Sequence, residues 1–196
     1  MISNNVNDIV NSLKNGGIVI YPTDTVYSLS VDPFNEMAIK KIFSFKKRDK
    51  SKSLIIQISS ISKLPYWVEY ISKKSLLLVE KFWPGPLTLI FKKNLKISSN
   101  AFVDTIGIRI PNNNYSLKIL SEFRGLIGTS VNISGFPSIF DLKDVVKNFE
   151  NDVDFILGIG NCKKKKESTI IDCSSEKIIV LREGYIKNNI INNILI

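Results

Sequence analysis

The sequence predicts an α/β fold: one domain, residues 1–196, with helices packed on a mixed parallel and antiparallel sheet. Three observations carry that expectation. Short β-branched runs alternate with helical patterns along the whole chain, which is the order that places helices against a sheet. No repeat or low-complexity linker divides the chain. Its 196 residues, 44% of them hydrophobic, suffice for one real core.

The elements follow in order. Val6, Ile9, Val10 and Leu13 fall on one helical face, and Gly16-Gly17 ends that helix. Ile18 to Tyr21 is a buried strand stopped by Pro22, and Val26 to Val31 is a second extended piece. Asn35 caps a helix carrying Ile39, Ile42 and Phe43; Leu54 to Ile58 is the next strand. Ser72 to Phe82 reads as a helix with Leu76, Val79 and Phe82 inward, followed by the stiff turn Trp83-Pro84-Gly85-Pro86. Leu87 to Phe91, Ile106 to Ile110 and Leu126 to Thr129 are strands, with a helix from Tyr115 to Phe123 before the last. A helix over Asp141 to Phe149, strands over Thr169 to Asp172 and Ile178 to Leu181, and a weak amphipathic helix from Ile186 complete the chain.

Composition excludes several chemistries. The chain has no histidine, so it holds no Ser-His-Asp triad, no Cys-His pair and no HExxH zinc site. Cys162 and Cys173 form no CxxC pair and read as incidental thiols. The net charge of +9 favours anionic partners such as nucleotides, phosphates or RNA. That argument is discounted by abundant Ile, Asn and Lys and by only two alanines, a pattern that AT-rich coding produces without functional demand. The N-terminus lacks the regions of a secretory signal and no apolar run spans a bilayer, so a cytoplasmic protein without membrane contact is expected.

The nucleotide motifs GxxxxGK[ST] and GxGxxG are absent, and no carboxylate set has a metal-site spacing. Small polar and cationic residues instead gather at strand ends, where open α/β sheets usually hold ligands. Thr23-Asp24-Thr25 follows the first strand, Lys46-Lys47-Arg48 and Lys52 precede the strand at Leu54, and Thr105 and Arg109 bracket another. Ser130-Val131-Asn132, Ser168-Thr169 and Arg182 mark further ends. Hydroxyls, loop N–H groups and guanidinium groups together can cradle an anion. Arg109, set among β-branched neighbours, needs an anionic partner, either a structural carboxylate or a ligand. Trp83-Pro84-Gly85-Pro86 reads as scaffold, and Lys163 to Lys166 as a solvated loop.

In this order the segments resemble the YrdC family, the threonylcarbamoyl-AMP synthases. They are Tyr-Pro-Thr-Asp-Thr-Val-Tyr (21 to 27), Lys-Lys-Arg (46 to 48), Trp-Pro-Gly-Pro-Leu-Thr (83 to 88), Gly-Ile-Arg-Ile-Pro (107 to 111), Thr-Ser-Val-Asn-Ile-Ser-Gly (129 to 135), Ser-Thr-Ile-Ile-Asp (168 to 172) and Leu-Arg-Glu-Gly (181 to 184). The resemblance runs from about Gly17 to Gly184 and is to the short, single-domain form. It implies a twisted mixed sheet with a basic concave cavity. It also implies condensation of L-threonine, bicarbonate and ATP, accompanied by Mg²⁺, into L-threonylcarbamoyladenylate with release of pyrophosphate. The product would pass to a separate transferase complex that makes t6A at position 37 of tRNA, and direct tRNA contact would be weak.

By motif position the resemblance assigns threonine to Thr25, Gln57, Arg109, Gly128 and Ser168. It assigns ATP to Arg48, Lys52, Thr105, Ser130, Ser138 and Arg182, and catalysis to Lys46, Arg48, Ser130 and Asn132. Ser28 and Ser30 stand where the family usually has glycines, and Gln57 where many relatives have histidine. A site without histidine suits this chemistry, because a carbamate oxygen of the substrate is the nucleophile and pyrophosphate leaves without a proton donor. The rival expectation is a non-catalytic RNA-binding module using the same basic surface. A carbamoyl-transferring relative of the same fold would need additional domains.

Overall fold

The computed structural model describes residues 1–47, 54–99, 101–162 and 166–195. Among these, ten strands join into one sheet. In chain order the strands are β1 (Ile2–Ser3), β2 (Val19–Pro22), β3 (Tyr27–Val31), β4 (Ile55–Gln57), β5 (Leu87–Lys92), β6 (Thr105–Arg109), β7 (Leu126–Ser130), β8 (Phe155–Leu157), β9 (Thr169–Asp172) and β10 (Ile179–Arg182). The helices are α1 (Val6–Lys14), α2 (Glu36–Lys46), α3 (Leu64–Trp67), α4 (Lys73–Phe82), α5 (Asn114–Ser121), α6 (Leu142–Phe149) and α7 (Asn188–Leu195). Across the sheet the order is β1-β8-β2-β3-β7-β4-β6-β5-β9-β10. The pairs β1/β8, β2/β8, β4/β6 and β5/β9 are parallel and the others antiparallel, so the expected mixed sheet is present.

Local chemistry explains the helix ends. Asn35 accepts from the Ala38 backbone N–H (3.0 Å) and caps α2, as its position predicts. Asn113 does the same for α5, accepting from Tyr115 and Ser116. At the other end of α5, the Lys63 ammonium donates to the carbonyls of Leu120, Ser121 and Phe123, around the last turn of the helix. Burial lowers the pKa of Lys63, and Glu122 opposes that shift.

The inward face of α4 runs through Ser75, Leu78 and Val79, while Leu76 is 41% exposed, contrary to the apolar stripe expected from the sequence. Ser75 turns inward because its hydroxyl donates to the Ser72 carbonyl (2.8 Å), so a polar residue holds the place where the pattern called for an apolar one. Strands β1 and β8, α3 and the preceding 3-10 turn Ile61–Lys63 were missed by the periodicity reading. Each is too short to show a period, and tertiary pairing secures it.

Strand alternation sorts the core onto two faces. Ile18, Ile20, Tyr27, Leu29, Ile56, Ile106, Ile108, Ile127, Leu87 and Leu89 belong to the larger cluster, covered by α2, α4 and α6. Val19, Tyr21, Leu126 and Leu157 face the other way and pack with Ile9, Val10 and Leu13 of α1 and Ile119 and Leu120 of α5. This second cluster is smaller, and the same sheet face continues beyond it as a row of small and polar residues.

Candidate active site

Strand register assembles that row. Tyr21 lies beside Ser28, Ser28 beside Ser130, and Ser30 beside Gly128. Ile55 follows beside Gly128 and Gly107, Gln57 beside Arg109, and Thr88 beside Ile170. Of these, Ser28, Ile55, Gln57, Thr88, Arg109, Gly128, Ser130 and Ile170, with Thr23, Thr25, Glu167, Ser168 and Arg182 at the margin, line a cleft of about 630 Å³ including its open mouth. The expectation of a site at strand ends is thereby refined: loops supply the rim, and the floor is a sheet face.

Arg109, at the end of β6, is 3% exposed. Its guanidinium donates to Asp24 Oδ1 (2.5 Å), Thr25 Oγ1 (2.7 Å) and the Gly85 carbonyl (3.0 Å). Of the two partners left open by the sequence, the structure supplies the carboxylate. Burial lowers the pKa of Arg109, and the Asp24 charge opposes that shift. These bonds use three of the five N–H groups, so two remain for a ligand. Asp24 is itself held by the Asn112 backbone N–H (3.1 Å), while its Oδ2 has no partner among the described residues.

The Gly85 carbonyl gives the Trp83–Pro86 turn a role beyond scaffold. Its N–H donates to the Ile110 carbonyl (2.8 Å), which folds the turn back against β6. A Cβ there would lie 2.3 Å from the Phe82 carbonyl oxygen, so glycine permits the approach. Sequence reasoning passed over Asp24, Gly85 and Glu167 because a single carboxylate, a turn glycine and a loop glutamate carry no periodic signal. The buried Arg109 was the clue that some acid had to meet it.

Gln57 is fixed over Gly128. Its Oε1 accepts from the Tyr21 hydroxyl (3.0 Å), and a Cβ on Gly128 would lie 2.5 Å from its amide carbon. With Oε1 engaged, the amide N–H₂ is the donor that this side chain can offer to the cleft. Ser28 and Ser30 on the neighbouring strand bond to each other (3.0 Å). Desolvation raises the Tyr21 pKa, while the Ser30 and Ser28 hydroxyls oppose that shift.

On the neighbouring rim the Lys46 ammonium, 1% exposed, donates to the carbonyls of Ser130 and Asn132 and to Asn132 Oδ1 (2.8 Å). Ser130 donates its hydroxyl to the same Oδ1 (2.6 Å), and Asn132 Nδ2 donates to the Phe136 carbonyl (2.6 Å). Lys46 therefore reaches the site by tying together the loop that follows β7. Across the mouth, Arg182 donates to the Ser168 carbonyl and pairs with Glu167, and Ser138 donates to the other oxygen of Glu167 (2.6 Å). Beside this group, Phe136, Pro137, Ser138, Phe140, Lys166 and Gly184 line a second hollow that shares Glu167 and Arg182 with the first.

All five residues assigned to threonine thus line one cleft, together with Ser130 and Arg182. Ser138 faces the adjoining hollow. Lys46 and Asn132 join the site through their bonds to the Ser130 loop. Thr105 opens β6 beside Lys92 and does not line the cleft. Arg48 and Lys52 lie outside the described residues.

Fold and cleft together define an α/β protein with a polar cleft on one face of a long mixed sheet, around a buried arginine. Comparison with known proteins gives the particular family. Residues 11–184 match the family model for Sua5, YciO and YrdC, described as telomere recombination, and the chain belongs to that family. A Methanocaldococcus jannaschii relative, a candidate threonylcarbamoyl-AMP synthase, is 38% identical over 176 residues, covering 89% of this chain and 83% of its own length. The threonylcarbamoyl-AMP synthase of Bacillus subtilis is 32% identical over 177 residues, which is 88% of this chain and 51% of that protein. The crystal structure of Pyrococcus abyssi Sua5 complexed with L-threonine superposes with a TM-score of 0.91 at 30% identity, covering 97% of this chain and 57% of that one. The chain therefore spans about half the length of these last two relatives.

Proposed function

We propose that this chain is a nucleotidyltransferase that makes L-threonylcarbamoyladenylate from L-threonine, bicarbonate and ATP, the first step of t6A37 formation in tRNA. The observation that carries this reading is the convergence of Thr25, Gln57, Arg109, Gly128 and Ser168 on one cleft. Its support from outside is the similar fold of a relative solved with L-threonine.

In this reading the two N–H groups that Arg109 has left over take the threonine carboxylate, with Thr25 and Ser168 beside it. Gln57 donates an amide N–H to the substrate. The threonine amine adds to bicarbonate with loss of water, giving a carbamate. A carbamate oxygen then bonds to the α-phosphorus as the bond to the β-phosphate oxygen breaks, and pyrophosphate departs. The nucleophile is the substrate's own oxygen, so the chain's part is to align reactants and offset charge. Mg²⁺ arrives with ATP as part of that substrate. Ser130, Asn132, Ser138 and Arg182 meet phosphate oxygens, Lys46 holds the Ser130 loop, and Arg48 and Lys52 add contacts to the nucleotide. The product passes to a separate tRNA threonylcarbamoyl transferase complex, contact with tRNA is weak, and the location is cytoplasmic.

Pyrophosphate release decides the matter. The synthase releases it only when threonine and bicarbonate are both present, and Arg109→Ala should abolish that release. No release under any combination, with salt-sensitive RNA binding in its place, would establish the RNA-binding module instead.

A further inference from the structure

Glu167 stands between the cleft and the adjoining hollow and lines both. One carboxylate oxygen accepts from the Ser138 hydroxyl at 2.6 Å, and the other pairs with Arg182. An anion therefore already engages the hydroxyl and the guanidinium that the reading above gives to the nucleotide. Ser138 belongs to the loop after β7, whereas Glu167 precedes β9, so their bond spans the mouth from one side to the other.

The surrounding backbone is stitched independently of this side chain. The Tyr185 N–H donates to the Glu167 carbonyl (2.9 Å), and the Gly184 and Ile186 N–H groups donate to Thr169 Oγ1. A Cβ at Gly184 would lie 2.4 Å from the Glu167 carbonyl oxygen, which shows how closely the two segments are packed. The Glu167 side chain is 35% exposed and can rotate away without moving that backbone. A phosphate at these donors competes with the carboxylate for Arg182 and for the single Ser138 hydroxyl, and the carboxylate repels it.

From this arrangement we infer that Glu167 is an internal stand-in for a phosphate: it latches Ser138 to Arg182, and the nucleotide's phosphate must displace it to bind. The inference rests on the proposed synthase reading and adds a residue that opposes nucleotide binding rather than supporting it.

Calorimetric titration of the full chain with Mg-ATP tests it, comparing the wild type with Glu167→Gln and Glu167→Asp. The amide removes the competing charge and should tighten ATP about fivefold or more, with L-threonine affinity unchanged. The shorter aspartate keeps the charge but cannot span both donors, so it should also tighten ATP, and it serves if the amide variant folds poorly. Adenosine, which has no phosphate, should bind all three proteins equally. ATP affinity unchanged or weakened in both variants would overturn the latch and make Glu167 a support for Arg182. A wild type that binds neither ATP nor threonine would instead overturn the synthase reading itself.

Discussion

Asp24 and Arg109 meet at 2.5 Å with side chains only 2% and 4% exposed, joining the loop after β2 to the end of β6 across 85 residues of chain. Removing one partner leaves a buried charge without compensation, which costs far more than an exposed pair is worth. Asp24→Ala should lower unfolding free energy by about 3–5 kcal/mol, measured by urea denaturation, and should weaken threonine binding because Arg109 loses its anchor. An unchanged midpoint would mean that the pair does not organise the cleft.

Two glycines should respond differently to alanine. At Gly184 the new methyl group meets the backbone of Glu167 and Ser168 at 2.4 Å, which cannot yield cheaply. A loss of about 1–3 kcal/mol is expected on thermal melting. At Gly128 the methyl group meets only the Gln57 side chain, which can swing aside. Gly128→Ala should fold normally, yet raise the KM for threonine roughly tenfold, as for one misplaced hydrogen bond.

Lys46→Met removes the donor that draws together the Ser130 and Asn132 carbonyls. Turnover should fall by about 10²-fold or more, with KM for threonine little altered, because Lys46 holds the Ser130–Asn132 loop, which the proposed reading gives to the nucleotide. Steady-state pyrophosphate release at saturating threonine measures this, and retention of full kcat would show the loop to be self-supporting.

Stability should decline in alkali. Burial pushes Cys162 and Cys173 up from 9.0 to about 12, and burial also pushes Tyr27 up from 10.0 to about 12. Below about pH 9 both folded and unfolded chains keep these protons. Between about pH 9 and 12 the unfolded chain releases protons that the folded chain retains, so folding weakens as pH rises. Urea midpoints at pH 8 and pH 10.5 should differ in that direction, and both thiols should resist alkylation at pH 8 until the chain unfolds.

The chain has no histidine, so the pH dependence of kcat/KM between pH 6 and 8 should come from the substrates, above all the threonine amine, which must lose its proton to attack bicarbonate. Gln57→His should add an inflection near the ordinary histidine range, around pH 6.5, relative to the wild type, since the new ring sits against the Tyr21 hydroxyl within the cleft. Superimposable profiles for the two proteins would show that position 57 does not meet the substrate.

Much of this was legible in the sequence. The α/β class, the Asn35 cap, most strands and the exclusion of histidine chemistry follow from local period and composition, because alternation and capping are properties of neighbouring residues. The motifs also pointed to Thr25, Gln57, Arg109, Gly128 and Ser168, which line one cleft. Tertiary structure alone decided that β4 lies between β7 and β6, and so that Gln57 stands beside Arg109 and over Gly128. It alone chose Asp24 as the acid for Arg109 and set Glu167 against Arg182. Such pairings depend on strand order and loop closure over long stretches of chain, and no local pattern encodes which distant carboxylate will meet a given guanidinium.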